Sequence, residues 1–159
     1  MRAVGLALAL ALAMSFPAAG KPVITGIATV IDGDTIDVSG TRIRLYGIDA
    51  PEGAQLCARA NGAVWKCGDA ASLALTRQLG RSQVRCEANG QDHYRRTIAV
   101  CFTSGVDINQ WMVANGWAVA FRRYSMAYVS AEDRAQKAKL GLWAGTFEMP
   151  WDWRRTKGH

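Results

Sequence analysis

The chain has 159 residues and a mass of 17.2 kDa, which suits one compact domain and leaves little room for two. Half of its residues are apolar and a fifth are charged, which excludes a disordered or fibrous protein. Lys and Arg number 19 against 13 Asp and Glu, a formal charge of +6 and a pI near 9.5, so polyanionic partners are favoured.

Met1 and Arg2 lead into an uncharged apolar run, Ala3 to Phe16, followed by Pro17, Ala18, Ala19 and Gly20. A short positive start, an apolar centre and small residues at the junction read as a secretory signal peptide over 1–20, cleaved before Lys21. The run is short for a membrane span, and no cysteine near the junction offers a site for lipid attachment. The mature chain is expected to be exported, periplasmic or secreted, and free of the membrane.

β-Branched residues mark Val23–Val30 and Thr35–Val38 as strands, with Asp32-Gly33 as the turn between them. Thr41–Ile48 follows Ser39-Gly40 as a third strand. Gln83–Ala88 and Thr97–Phe102, joined by a polar stretch containing Asn89-Gly90, bring the number to about five. A first helix is expected from Asp69, its N-cap, to Leu79, with Gly80 as its stop. A second begins at Asp107, carries Ile108, Trp111 and Met112 on one side and ends before Gly116. A third covers Ala127–Lys139 and stops at Gly141. This succession predicts an α+β protein over 21–147, a small antiparallel β-barrel with three helices packed on it. Residues 148–159, with Trp151, Trp153, Arg154 and Arg155, are expected to form a docked aromatic strap ending in a loose basic terminus. Trp111 and Trp117 read as core or barrel-capping residues, and His93 as a surface residue.

Cys57, Cys67, Cys86 and Cys101 all follow the leader. In an oxidising compartment four thiols read as two disulfides, with three possible connectivities. Cys57–Cys67 would close a local loop, and Cys86–Cys101 would join two adjacent strands. A zinc site is the weaker reading, because no short-spaced ligand pair is present and His93 and His159 are poorly placed to help.

The chemistry concentrates in three segments: Ile31-Asp32-Gly33-Asp34-Thr35, Arg44 through Glu52, and Asp92-His93-Tyr94-Arg95-Arg96. Asp32-Gly33 alone is a hairpin signal, but Asp34 entering a strand of Val, Ile and Thr is harder to explain structurally. Carboxylates gathered at one end of a small barrel repel each other unless a cation sits among them. Oxygen ligands with no thiol or imidazole select a hard ion, Ca²⁺ or Mg²⁺. Arg44, between Ile43 and Leu45, must pair with a carboxylate or bind an anion, and its planar fork suits phosphate. Pro51 fixes the bend after Asp49, and Glu52 emerges one step later, near enough to act on a water beside a metal.

In that order, with a late Asn109-to-Gly116 helix, these segments resemble the staphylococcal nuclease (thermonuclease) family, from about Ile24 to Trp143. The resemblance implies a five-stranded OB-type barrel with three helices, a monomer, and a Ca²⁺-dependent phosphodiesterase acting on DNA and/or RNA to leave 3′-phosphate ends. It further implies that Asp34 and Asp49 ligate calcium, that Ala50 offers its backbone carbonyl, and that Asp32 supports the site from behind or through water. Arg44 and Arg96 would clamp the phosphate, Glu52 would be the general base, and Tyr94 would contact a nucleotide. Arg95 stands where family members often have Gly, so either arginine could be the working group; spacing favours Arg96 for catalysis and leaves Arg95 to substrate binding. Ala50 replaces the prototype's Thr, Gly53–Lys66 lacks the prototype's lysine-rich loop, and the prototype has no cysteines. The rival readings are a catalytically silent OB-type module that binds single-stranded nucleic acid and a disulfide-stapled adaptor domain. A binding surface alone gains nothing from Asp32, Asp34, Asp49 and Glu52, which repel phosphate when no metal is bound.

Overall fold

A computed structural model describes residues 20–157 of the chain; the expected leader up to Ala19 and the terminal His159 lie outside the described residues. Five strands build the barrel: β1 (Val23–Asp32), β2 (Thr35–Val38), β3 (Thr41–Leu45), β4 (Gln83–Gln91) and β5 (Thr97–Thr103). They lie in the order β3-β2-β1-β4-β5, every neighbouring pair antiparallel. The ring closes where β3 meets β5, and that seam is parallel, with Ile43 beside Thr97 and Leu45 beside Ala99. The sequence predicts an antiparallel barrel; the closure makes it mixed. Five strands that alternate in direction begin and end pointing the same way, so an odd ring requires one parallel pair. Alternate residues fill the interior: Ile36, Val38, Ile43, Leu45, Val84, Cys86, Ala99 and Cys101 are at most 1% exposed.

Both expected disulfides are present, Cys57–Cys67 and Cys86–Cys101. Cys86 and Cys101 are directly opposite in the β4–β5 register, their Cα atoms 4.0 Å apart. Each bridge contributes about 2–4 kcal/mol, chiefly by restricting the unfolded chain.

The helices are α1 (Cys67–Leu79), α2 (Ile108–Ala114), α3 (Val129–Lys137) and α4 (Pro150–Thr156). The start of α1 precedes the expected Asp69 cap, because Cys67 is tied by its disulfide to the strand Leu56–Arg59. Gly80 ends α1 as expected, and Asp107 caps α2 by accepting from the Gln110 N–H at 2.9 Å. The expected strap contains a fourth helix, α4, started by Pro150 in its first turn, where a missing N–H costs nothing. A small second sheet, Leu56–Arg59 with Val64–Lys66 and Gly145–Thr146, also goes beyond the sequence reading; its strands are too short to show alternation. Trp111 and Trp117 pack against the main core as expected, while Trp65, Trp143 and Trp151 pack on a second cluster around Cys57, Cys67, Val119 and Leu142.

Two departures from regularity position the candidate site residues. β1 bulges between Val30 and Asp32, which sets Asp32 opposite Thr35 and turns the Asp32–Asp34 corner onto the barrel rim. The expected strand Thr41–Ile48 stops at Leu45, because Gly47 adopts a φ of +75° that other residues rarely tolerate. A Cβ there would also lie 3.0 Å from Ser125 and 3.1 Å from Tyr128. Beyond this corner Ile48–Asp49 leaves the barrel and pairs with Val119–Ala120. Asn109 of α2, fully buried, pins the corner: its Nδ2 donates to the Tyr46 and Ala99 carbonyls (2.9 and 3.1 Å), and its Oδ1 accepts from the Cys101 N–H (3.1 Å).

Candidate active site

Arg44 lies on β3 opposite Thr35, so its side chain rises beside the Asp32–Asp34 corner. Its fork bridges two acids: Nη1 donates to Asp34 Oδ1 at 2.8 Å and Nη2 to Asp49 Oδ1 at 2.7 Å. Asp34 is held further by the Thr35 hydroxyl on Oδ1 (3.0 Å) and by the Ala50 N–H on Oδ2 (3.1 Å). Behind them, Asp32 Oδ1 accepts from the Asp34 N–H at 3.0 Å. The acids named from the sequence therefore meet at one end of the barrel.

Their electrostatics follow from burial. Burial, with the Asp34 charge adding to it, pushes the Asp32 carboxyl up to about 6. Burial also raises Asp49, against the opposing pull of Arg154 and Arg44. For Arg44, burial works against the charged form, but Asp34 and Asp49 outweigh it and hold the guanidinium above its ordinary range.

Arg96 closes the β4–β5 hairpin. Its Nε donates to Asp92 Oδ2 (2.7 Å), its backbone N–H donates to Asp92 Oδ1 (2.9 Å), and the guanidinium lies 5.4 Å from the Tyr94 ring centre. Burial would raise the Asp92 carboxyl; the Arg96 backbone and side chain outweigh it and lower the pKa. Arg95 takes a φ of +64° at the turn. As a result Arg96, Tyr94 and His93 line the same cavity as Asp32, Asp34 and Arg44, whereas Arg95 is exposed outside that lining. The cavity has a volume of about 600 Å³. Asp49 is fully buried behind it, reached through Arg44.

Glu52 reaches the cavity from the loop after Pro51. Its N–H donates to Oε1 of the fully buried Gln55 (3.2 Å), and Gln55 Nε2 donates to the Glu148 carbonyl (2.7 Å). The start of α1 presses on this loop at Gly68, where a Cβ would lie 1.8 Å from the Glu52 carbonyl oxygen.

Arg154, on α4, is a site residue that the sequence reading misses. Nη1 donates to Glu52 Oε1 (2.7 Å) and Asp49 Oδ1 (3.1 Å), and Nη2 to Asp49 Oδ2 (2.8 Å). Burial opposes its charge, but Asp49 and Glu52 hold its pKa above the ordinary arginine range. One signal was available: Trp151 and Arg154 share a helical face, so an anchored Trp151 carries Arg154 inward. Trp151 is anchored, stacked on Phe121 with ring centres 5.3 Å apart.

Among the described residues no group of three or more Asp, Glu, His or Cys side chains is placed to hold a metal ion. The donors present nevertheless fit a hard divalent ion in kind. Asp34, Asp49 and the Ala50 carbonyl are all oxygen, and Asp32 and Asp34 line one cavity as two acids whose mutual repulsion a nearby cation would relieve.

Residues 42–145 match the family model described as "Staphylococcal nuclease homologue". The chain is similar to the succinoglycan biosynthesis protein ExoI of Rhizobium meliloti, 39% identical over 89% of this chain and 75% of that protein. It is also similar to the micrococcal nuclease of Shigella flexneri, at 33% identity over 81% of this chain and 79% of that protein. A protein of Haemophilus influenzae named an uncharacterized endonuclease is 32% identical over 81% of this chain and 71% of that protein.

Proposed function

The chain belongs to the staphylococcal nuclease family, and we propose that it is a calcium-dependent endonuclease hydrolysing DNA, RNA or both to 3′-phosphate ends. The observation that carries this reading is the shared cavity: Arg44, Glu52 and Arg96 line it together with Asp32, Asp34 and Ala50.

Spontaneous phosphodiester hydrolysis is slow enough that the site must supply on the order of 15–20 kcal/mol. Asp34, Asp49, the Ala50 carbonyl and, through water, Asp32 would hold calcium, which when bound supplies positive charge to a phosphate oxygen. Arg44 uses two of its five N–H donors on Asp34 and Asp49 and keeps three for a phosphate. Arg96 uses Nε on Asp92, which leaves both terminal nitrogens for the same phosphate. Both guanidiniums are fixed before substrate arrives, so little reorganisation accompanies the charge that grows on the phosphoryl oxygens. Glu52 takes the proton of the attacking water. The bond from phosphorus to the 5′ oxygen breaks, that oxygen takes a proton from solvent water and leaves as a hydroxyl, and the phosphate stays on the 3′ side. Tyr94, 70% exposed beside Arg96, offers a ring face to a base.

In this reading residues 1–20 are a signal peptide, the mature protein is exported to the periplasm or the medium, and it acts as a monomer. The two disulfides suit an oxidising compartment. The domain over 21–147 works with the tail over 148–159, because Arg154 joins the cavity.

Digestion of plasmid with calcium, with chelator, and by Glu52→Gln tests the proposal. Cleavage is expected with calcium only, and Glu52→Gln is expected to lose turnover by orders of magnitude while still retaining DNA in a gel shift. Retention without cleavage by the unaltered protein would favour the silent binding module, and full activity in chelator would exclude the metal mechanism.

A further inference from the structure

The catalytic carboxylate of the proposed reaction is held from a remote part of the chain. Arg154 stands 102 positions from Glu52, yet its Nη1 is the donor to Glu52 Oε1 at 2.7 Å. The same fork covers both oxygens of Asp49. α4 is itself fixed at two points. Trp151 stacks on Phe121 with planes 8° apart, and Gln55 bridges the Glu52 N–H to the Glu148 carbonyl just ahead of the helix. The Glu52 loop and the C-terminal helix are therefore tied both through backbone and through a charged side chain.

From this geometry we propose that Arg154 is a positioning residue of the nuclease site, which aims Glu52 at the attacking water and tempers cation affinity by sharing Asp49 with the metal. The inference rests on the functional reading above. An unanchored Glu52 samples several rotamers, of which few face the phosphate, so turnover depends on the tie while substrate binding does not. A cation held by Asp34 and Asp49 meets a positive charge already hydrogen-bonded to Asp49. Removing that charge strengthens cation binding, because the repulsion vanishes and the acids lose a competing partner. The two effects have opposite signs, whereas simple damage to the fold weakens both.

The test uses the full mature chain with Arg154→Gln, Arg154→Lys and, as control, Arg155→Gln. Arg155 lies on the same helix, has a side chain 78% exposed and pairs with Asp152. Calcium binding is read by titration calorimetry without nucleic acid, and kcat and KM by cleavage of a single-stranded oligonucleotide. Arg154→Gln is expected to bind calcium about tenfold tighter or more, with kcat about tenfold lower or less and KM within about threefold. Arg154→Lys, which keeps the charge but not the fork, is expected to bind calcium within about threefold of the unaltered protein while kcat still falls. Should Arg154→Gln fail to fold, Arg154→Lys decides: unchanged kcat overturns the inference. Calcium binding by Arg154→Gln that is unchanged or weaker overturns it also. An unaltered protein that neither binds calcium nor cleaves overturns the functional reading and this inference with it; cleavage by the unaltered protein with an indifferent Arg154→Gln overturns the inference alone.

Discussion

Replacing Asn109 is expected to unseat both the barrel seam and the loop that brings Asp49 to the site. The side chain is fully buried and satisfies backbone groups that have no ladder partner at the end of the parallel β3–β5 pairing. In Asn109→Ala the Cys101 N–H and the Tyr46 carbonyl lose their partners; the Ala99 carbonyl retains the Tyr46 N–H at 2.8 Å. Two orphaned groups, one buried and one partly buried, at about 1–3 kcal/mol each give a loss of about 2–6 kcal/mol, a large part of a typical domain's stability. Urea unfolding with the disulfides intact measures it. With a slope of about 2 kcal/mol/M the midpoint should drop by about 1–3 M, the slope itself unchanged. Asn109→Asp sharpens the test. It is isosteric and keeps the acceptor for Cys101, but it sets a carboxylate oxygen against two carbonyls, so it should destabilise at least as much as Ala. An Asp variant within about 0.5 kcal/mol of the unaltered protein, or an Ala loss under about 1 kcal/mol, would refute this account of the seam.

Of the two adjacent arginines, Arg96→Ala should cripple turnover, since Arg96 lines the cavity, while Arg95→Ala should mainly weaken binding of nucleic acid; kinetics on both variants check this, and the reverse pattern would show that Arg95 is the phosphate clamp. The Asp92 carboxyl is lowered by its bonds to Arg96, so its contribution to stability is present above the unfolded value near about 4 and is lost as pH falls through the folded value. The stability advantage of the unaltered protein over Asp92→Asn, measured by urea unfolding, should therefore hold at pH 6 and shrink below about pH 4; an advantage that grew on acidification would refute the pairing.

The parts legible in the sequence are those encoded by neighbours. The Asp32-Gly33 turn, the β-branched content of Thr35–Val38 and the Gly80 stop are local, and each stands where the residues put it. The Cys86–Cys101 bridge was legible because it needed only two strands to be adjacent. Ile48–Asp49 was not, since two residues carry no period and their partner, Val119–Ala120, is equally short. The parallel seam follows from strand parity, which appears only once all five strands are counted. Arg154 was hidden for a different reason. A basic residue near a terminus reads as a solvated charge, and its partners lie 102 and 105 positions away.

The same arginine explains how so many acids coexist on one rim. The charges alternate in a chain: Asp34, Arg44, Asp49, Arg154, Glu52, each joined to the next by a hydrogen bond of 2.7–2.8 Å. Such a chain is a poor stabiliser, because desolvating each ion offsets most of the attraction, and well-packed apolar residues of similar volume would serve the fold as well or better. What it does supply is geometry. A guanidinium fork fixes two carboxylates at once and, in the proposed reaction, leaves further N–H donors for an incoming phosphate. The acids keep the arginines from collapsing onto the wall, and the arginines keep the acids from repelling each other apart. Substitution of any one member should therefore move its neighbours as well. Double-mutant cycles across Arg44, Asp49 and Arg154 should be strongly non-additive, whereas Arg96 with Asp92, on the opposite hairpin, should behave as a separate unit.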